Sequence, residues 1–291
     1  MKEFEEFREK FLPDISKRIL ELLPSSSKYT PVFNRALSYS LKTGGKRIRP
    51  LLFLAVAYSV SAKKFKSRLN SLIDFSVGIE YIHNYSLVHD DIMDGDEIRR
   101  GKPTVFKKFG PDVAILVGDA LLTRGMEILY DNFPYSAKVI LQSVGVPGMI
   151  SGQAGDIHYS GKVKTSENAM WWIHLNKTAS FFAGISVAGI LACSVFDEKF
   201  RKKFFDFGLN LGLAFQVRDD LLDRIGKKEK YKKSRTDLKN RKLTTLRFYT
   251  IEEAGKIVEK LTQNALNSLK NLPVKGEILK SLLKKLSIRE M

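Results

Sequence analysis

Two long apolar runs at helical spacing, Leu72 to Asp94 and Phe204 to Asp223, each end in the pattern Asp-Asp-x-x-Asp. The first box is Asp90-Asp91-Ile92-Met93-Asp94 and the second is Asp219-Asp220-Leu221-Leu222-Asp223. On a helix, residues i and i+4 share one face a turn apart. Asp90 and Asp94 therefore project side by side, with Asp91 about 100° around the axis, and Asp219 and Asp223 repeat the geometry. Like charges at that spacing repel by about 0.2–0.5 kcal/mol, and carboxylates at a helix C-terminus oppose its dipole. A cation held between them reverses both costs. All-oxygen ligation suits hard cations, and Mg²⁺ commonly joins a few carboxylates to substrate phosphates. A single such box has a plainer reading as a solvated acidic helix end; two facing boxes read as a cage for a metal-bridged polyphosphate. The boxes begin 129 positions apart. If they share one site, residues 1–291 form a single domain, although length alone leans towards two.

Apolar positions elsewhere also recur at helical spacing, as in Phe4, Phe7, Phe11 and in Leu261, Ala265, Leu269, and few segments alternate with period two. Breakers such as Pro24, Gly44-Gly45, Gly110-Pro111, Pro134 and Gly226 separate stretches of helix length. The chain is expected to be nearly all-α. Its 44% hydrophobic and 11% aromatic content excludes a wholly disordered protein. Cys193 is the only cysteine, so no internal disulfide forms, and no Cys/His cluster has zinc spacing. The N-terminus, Met1-Lys2-Glu3-Phe4-Glu5-Glu6, has no apolar leader. The most apolar runs, Leu51–Val60 and Phe181–Phe196, fall short of the roughly 18–20 residues that span a bilayer. Buried helices, no membrane span and a cytoplasmic location are expected.

A net charge of +17 raises the possibility of nucleic-acid binding. The densest basic stretch runs from Lys227 to Lys242, and no RNP motif, zinc finger or helix-turn-helix accompanies it. A solvated lysine face, with a few cations for a small anionic substrate, is the better reading. Cations also stand near the boxes. Arg99 and Arg100 follow the first, and an Arg fork matches phosphate oxygens bidentately. Gly44-Gly45-Lys46-Arg47-Ile48-Arg49-Pro50 pairs a flexible backbone with three cations, an anion cradle or an ordinary exposed turn. It lacks P-loop spacing.

Taken in order, the motifs resemble the trans-prenyl diphosphate synthase family over roughly Leu41 to Leu246. They are G-G-K-R-I-R-P at 44–50, E-x-x-H at 80–83, L-V-H-D-D-I-M-D-x-x-x-x-R-R-G-K-P-T at 87–104, G-D-A-L-L at 118–122, G-Q-x-x-D at 152–156, K-T-A at 177–179 and F-Q-V-R-D-D-L-L-D at 215–223. The resemblance implies an isoprenoid synthase-type antiparallel helical bundle around a deep central cavity, a homodimer, and condensation of isopentenyl diphosphate with an allylic prenyl diphosphate using several Mg²⁺ ions. Carried over by position, Asp90, Asp94 and Asp219 resemble metal ligands, with Asp91, Asp220 and Asp223 close behind. Lys46, Arg49, His83 and Arg100 resemble the isopentenyl diphosphate site, and Arg99, Lys177, Lys233 and Lys242 the allylic diphosphate site. Lys177, Thr178 and Gln216 resemble the groups beside the developing cation.

Plainer readings stand beside these. His83 lies in an apolar run where a core histidine is the default, and Thr178 could bond back to its own helix. His89 reads as structural, His158 and His174 match nothing, Gln153 and Asp156 read as buried hydrogen-bonding groups, and Asp74 and Glu80 carry no role. The family's glycines after the second box are replaced in Tyr231-Lys232-Lys233-Ser234-Arg235-Thr236-Asp237, which leaves Lys232 and Lys233 as alternatives for one phosphate contact. Five positions before Asp90, a helix lies about 7.5 Å deeper. Tyr85 stands there as a floor for a growing chain, with Ser86 leaving room beside it. One aromatic at this place resembles archaeal-type geranylgeranyl synthases and implies a C20 product first and C15 second. A terpene cyclase normally lacks the second box and the G-G-K-R segment; a non-catalytic partner subunit typically has lost a box.

Overall fold

The computed structural model describes residues 2–24, 28–42, 44–225 and 242–287. It is all-α apart from one hairpin. Lys2–Glu21 (α1), Pro31–Lys42 (α2), Ile48–Val60 (α3), Ala62–Ser67 (α4) and Leu69–Asp94 (α5) lead into the hairpin strands Ile98–Arg99 (β1) and Lys102–Pro103 (β2). Val105–Phe109 (α6), Pro111–Asn132 (α7), Pro134–Val144 (α8), Met149–Tyr159 (α9) and Glu167–Ile173 (α10) follow. A π-helical segment, His174–Ala179, runs directly into Ser180–Ala192 (α11). Glu198–Ile225 (α12), a 3₁₀ turn at Thr245–Arg247, Ile251–Ser268 (α13) and Glu277–Ser287 (α14) complete the described chain.

Local chemistry sets many of the boundaries. Pro111 and Pro134 sit in the first turns of α7 and α8, where a missing N–H costs nothing. Thr250 and Glu253 form a capping box at the start of α13. Gly95, with φ +67°, stops α5 immediately after Asp94. Amphipathic helices such as α1 bury one stripe (Phe4, Phe7, Phe11, Ile15, Ile19). By contrast α3 and α11 are apolar nearly all round and are buried nearly all round.

One cluster of buried side chains runs from Phe4 to Leu286. Around it α5 packs against α7, and α11 against both α8 and α12. These pairs are antiparallel: Ser136 bonds to Ala188 while Ser180 bonds to Ser143, Gly118 faces His89 while Gly125 faces Ile82, and Gly208 faces Ser186 while Gly212 faces Ala179. The antiparallel order brings the C-terminal ends of α5 and α12 to the same end of the bundle, which is what a shared site for the boxes requires. The run Phe181–Phe196 lies on a continuous helix, Glu167–Ala192, of 26 residues as far as Ala192, and its last four residues lie beyond the helix end. The helix is therefore longer than the apolar run alone suggests and long enough to cross a bilayer. Its most apolar window is 83% buried inside the protein, which makes it a core helix.

Candidate active site

A cavity of about 1180 Å³ opens between the ends of α5, α9, α12 and the π segment. Its lining includes Lys46, Arg49, His83, Tyr85, Ser86, Asp90, Asp94, Arg99, Arg100, Lys177, Thr178, Gln216, Asp219, Asp220, Asp223 and Lys242. Of the residues assigned to the site in the sequence, Lys233 and its alternative Lys232 lie outside the described residues. Asp91 is 3% exposed and turns from the cavity towards the hairpin.

The hairpin explains the roles of the two arginines. Ile98 pairs with Pro103 and Arg99 with Lys102, so the turn has two central residues. Both have positive φ, Arg100 at +53° and Gly101 at +75°, the primed geometry that matches the twist of a tight hairpin. From there Arg99 Nε donates to Asp91 Oδ1 at 2.5 Å. Burial pushes the Asp91 carboxyl up to about 6 in spite of Arg99. Arg100 swings the other way and donates to the carbonyl of Gly44. Gly45 has φ +150°, a conformation that favours glycine, and the Arg100 guanidinium lies close over it.

Beyond that loop Arg47, with φ +50°, turns inward and forms a buried ion pair with Glu80 at 2.5 Å, while Nη2 donates to the Leu41 carbonyl. Lys46 is left exposed at the rim and Arg49 at the wall. Arg49 Nη1 donates to His83 Nε2 at 3.1 Å and stacks its guanidinium over Phe182 at 4.9 Å. Burial and the neighbouring Arg49 hold the His83 imidazole well below its usual range, so it is neutral and carries its proton on Nδ1.

Lysines knit the carboxylates together across elements. Lys177 Nζ is 2.6 Å from Asp156 and 3.8 Å from Asp90; Lys242 Nζ is 2.5 Å from Asp94 and 3.4 Å from Asp156. Although burial opposes its ionisation, the two lysines hold the Asp156 carboxyl below the ordinary value. At Asp94 burial wins, and the carboxyl is pushed up despite Lys242. The π segment aims Lys177 and Thr178 into this space. Thr178 Oγ1 donates to Gln216 Oε1 at 2.7 Å, and Gln216 Nε2 donates to Asp220 Oδ1 at 2.9 Å. Gly152 allows the approach: a Cβ there would overlap the backbone of Lys177.

Sequence reasoning read Asp156 only as a buried hydrogen-bonding group and Arg47 only as one cation of an anion cradle or exposed turn, and it gave no role to Glu80, His174 or Thr245. Asp156 and Glu80 lie within the motifs quoted above, and His174 stands three positions before Lys177. His89 packs its ring over Gly118 and lies 3.2 Å from the Ile115 carbonyl, a contact between α5 and α7. Deeper in the cavity Tyr85 is 7% exposed and meets His89 edge-on. Ser86 bonds back to the His83 carbonyl.

Comparison with known proteins gives the family and the fold. A family model described as Polyprenyl synthetase matches residues 30–282. A geranylgeranyl diphosphate synthase from Cyanophora paradoxa is 39% identical over 241 residues, covering 79% of this chain and 78% of that protein. A farnesyl diphosphate synthase from Geobacillus stearothermophilus is 35% identical over 274 residues, 90% of this chain and 89% of the relative. Among solved structures, a geranyltransferase from Helicobacter pylori complexed with magnesium and isoprenyl diphosphate superposes with a TM-score of 0.86 at 28% identity, covering 98% of this chain and 96% of that one. A geranylgeranyl pyrophosphate synthetase from Pyrococcus horikoshii has a TM-score of 0.85 at 28% identity, covering 99% of both chains.

Proposed function

The chain belongs to the polyprenyl synthetase family, and from that membership we propose a specific assignment of its site. It is a trans-prenyltransferase with the isoprenoid synthase fold that makes a short-chain prenyl diphosphate. Isopentenyl diphosphate is the nucleophile and an allylic diphosphate the electrophile. The allylic C–O bond breaks with its electron pair leaving on diphosphate. The double bond of isopentenyl diphosphate supplies the pair for the new C–C bond, and loss of a proton restores an alkene.

In this proposal Lys46, Arg49, His83 and Arg100 hold isopentenyl diphosphate. Neutral His83 can donate from Nδ1 while Arg49 carries the charge. Arg99, Lys177, Lys233 and Lys242 hold the allylic diphosphate. The oxygens of Thr178 and Gln216, 2.7 Å apart, stabilise the developing cation.

Magnesium is part of the proposal, with Asp90, Asp94 and Asp219 as its ligands. Among the described residues no three His, Cys, Asp or Glu groups converge into a ready-made cage. The carboxylates instead line one cavity from two helices, a donor set that Mg²⁺ completes with substrate phosphate oxygens. The fit lies in the electrostatics: Asp94 is buried beyond what Lys242 compensates, which a divalent cation would correct. The metal, when bound, neutralises the departing diphosphate.

Residues 1–291 acting as one domain, a cytoplasmic location and a homodimer complete the reading. One core cluster from Phe4 to Leu286 supports the first. The lone buried Cys193, its thiol pushed up to about 11 by burial, suits a reducing compartment. Supporting the dimer, α7 leaves Ile115, Leu116, Met126 and Tyr130 exposed on its outer surface. Geranylgeranyl diphosphate is the favoured product, farnesyl diphosphate the second, and Tyr85 on the cavity wall supports a C20 stop.

The observation that carries the proposal is one cavity lined by both aspartate boxes and by Lys46, Arg49, Lys177 and Lys242. Incubation with labelled isopentenyl diphosphate, separate allylic primers and Mg²⁺, followed by product sizing, tests it. Elongation is expected, and Asp90→Ala and Asp219→Ala should each remove it while leaving helicity intact. Folded protein that elongates no primer would refute the assignment.

A further inference from the structure

The second box contains a residue that behaves unlike its neighbours. Asp220 is 8% exposed and both of its oxygens are engaged. Oδ2 accepts the Thr245 backbone N–H and the Thr245 hydroxyl, each at 2.7 Å, and lies 3.1 Å from His174 Nε2. Oδ1 accepts the Gln216 amide at 2.9 Å. Three of these contacts converge on Oδ2, which is thereby turned away from the cavity, and one falls on Oδ1. Burial opposes its ionisation, yet His174 and Thr245 hold the carboxyl below the ordinary value. His174 is 4% exposed and its Nε2 also lies 3.2 Å from the Thr245 hydroxyl, so the three side chains close on one another. None of this is metal-ligand geometry.

The chain around Thr245 shows what the cluster does. Lys242, three residues earlier, is the lysine that reaches Asp94 and Asp156. Residues 242–244 belong to no helix or strand, so no ladder of backbone bonds fixes them. They are held by the buried Leu243, by Thr245 on Asp220, and beyond it by Arg247 on the carbonyls of Lys162 and Val163. On its other side Asp220 decides which way the Gln216 amide faces. By accepting from Nε2 it leaves Oε1 towards Thr178 and the cavity.

We propose that His174 and Thr245 are positioning residues. With Asp220 they form a buried latch that carries Lys242 to the allylic diphosphate and orients Gln216. Asp220 thereby serves as an anchor within a metal-binding motif, acting through other residues. The inference rests on the synthase reading above.

The test varies the allylic and isopentenyl diphosphates separately in steady state. It also measures binding of inorganic diphosphate with Mg²⁺ by calorimetry, which needs no turnover. Thr245→Val and His174→Phe should each raise KM for the allylic diphosphate about tenfold, the scale of one lost hydrogen bond to a charged group. Diphosphate binding should weaken by a similar factor, while KM for isopentenyl diphosphate stays within about twofold. Thr245→Ser and His174→Gln, which keep a donor at each place, should recover most of the loss. Lys242→Ala should reproduce the defect, and Lys242→Ala combined with Thr245→Val should be no worse than Lys242→Ala alone, the signature of residues acting through one another. Losses that multiply, a parallel rise in KM for isopentenyl diphosphate, or conservative variants as damaged as the others would overturn the latch. Wild-type turnover is read first. Its absence sinks the synthase assignment, whereas the calorimetric comparison still decides the latch.

Discussion

At the residue scale, the carboxylates of this site divide by what surrounds them. Asp91 and Asp94 are pushed up by burial, whereas Asp156 and Asp220 are held down by cations and hydrogen bonds. The second pair must therefore support the fold at neutral pH. For a group whose folded pKa lies below its unfolded value, the stabilisation is fully present above the unfolded value and is lost as pH falls through the folded one. Asp220→Asn should accordingly lower stability by a constant amount above pH 3.8, the group's ordinary value, with the gap to wild type closing below it. Denaturant titrations across that range, without metal, check this; a gap independent of pH would show that the charge of Asp220 contributes nothing. Sequence reading found the boxes because i, i+4 spacing is local. It could not find what Asp220 holds, because His174 is 46 positions away and Thr245 is 25. Both carry ordinary side chains in unremarkable local contexts. Asp156 was visible as a motif residue, but its partner Lys177 lies 21 positions on, and only packing brings them to 2.6 Å.

At the element scale, the all-α class and many of the breaks between helices were legible from apolar periodicity, prolines and glycines, since those signals act within a few residues. The π segment was not. A π stretch inside a helix has no strong sequence marker and is frequently found at functional sites. Here it spans His174–Ala179, between α10 and α11. It gives His174, Lys177 and Thr178 their places on the cavity while α11 continues into the core. Helix α9 supports it through the close contact at Gly152. Gly152→Ala would drive a methyl group into the Lys177 backbone, and relief would come by moving α9, which carries Asp156. Overpacking of this kind costs roughly 1–3 kcal/mol. We expect a lower melting temperature and a turnover reduced by about tenfold or more, since a barrier increase of about 1.4 kcal/mol already gives that factor. Gly255→Ala provides the control, because nothing lies within 4 Å of a Cβ there. Equal behaviour of the two variants would mean that the α9 contact is not what sets Lys177.

At the scale of the whole molecule, the cavity emerges from how the helices are arranged, which no single motif encodes. Its outer consequences concern association. Leu116 and Tyr130 on α7 are 56% and 65% exposed, more than a lone surface needs. On the proposed dimer, the wild type should sediment at twice the chain mass and Leu116→Glu with Tyr130→Glu at the monomer mass; a monomeric wild type would refute the dimer, and an unchanged dimer in the variant would place its interface elsewhere. The inner consequence is product length. Both box and floor lie on α5, and a rise of about 1.5 Å per residue puts Tyr85 about 7.5 Å below Asp90. The phenol is 7% exposed, raised in pKa by burial, and braced by the edge of His89. His89 is itself backed by Gly118, so the floor cannot easily swing aside. Ser86 lies beside it with its hydroxyl turned back to the His83 carbonyl, leaving the small side of the wall apolar enough for an isoprenoid chain. In the reading proposed above, a chain anchored by its diphosphate at the boxes grows along α5 until its tail meets this ring. Tyr85→Ala removes the ring and leaves α5 otherwise unchanged. Products should lengthen by one or more five-carbon units, with the rate of the first condensation altered by no more than about threefold, because that step ends well above the floor. Tyr85→Phe keeps the bulk and should keep the length. Chromatographic sizing of labelled products decides it: an unchanged distribution for Tyr85→Ala would place the stop on another wall of the cavity, with Leu122 and Met149 the next candidates.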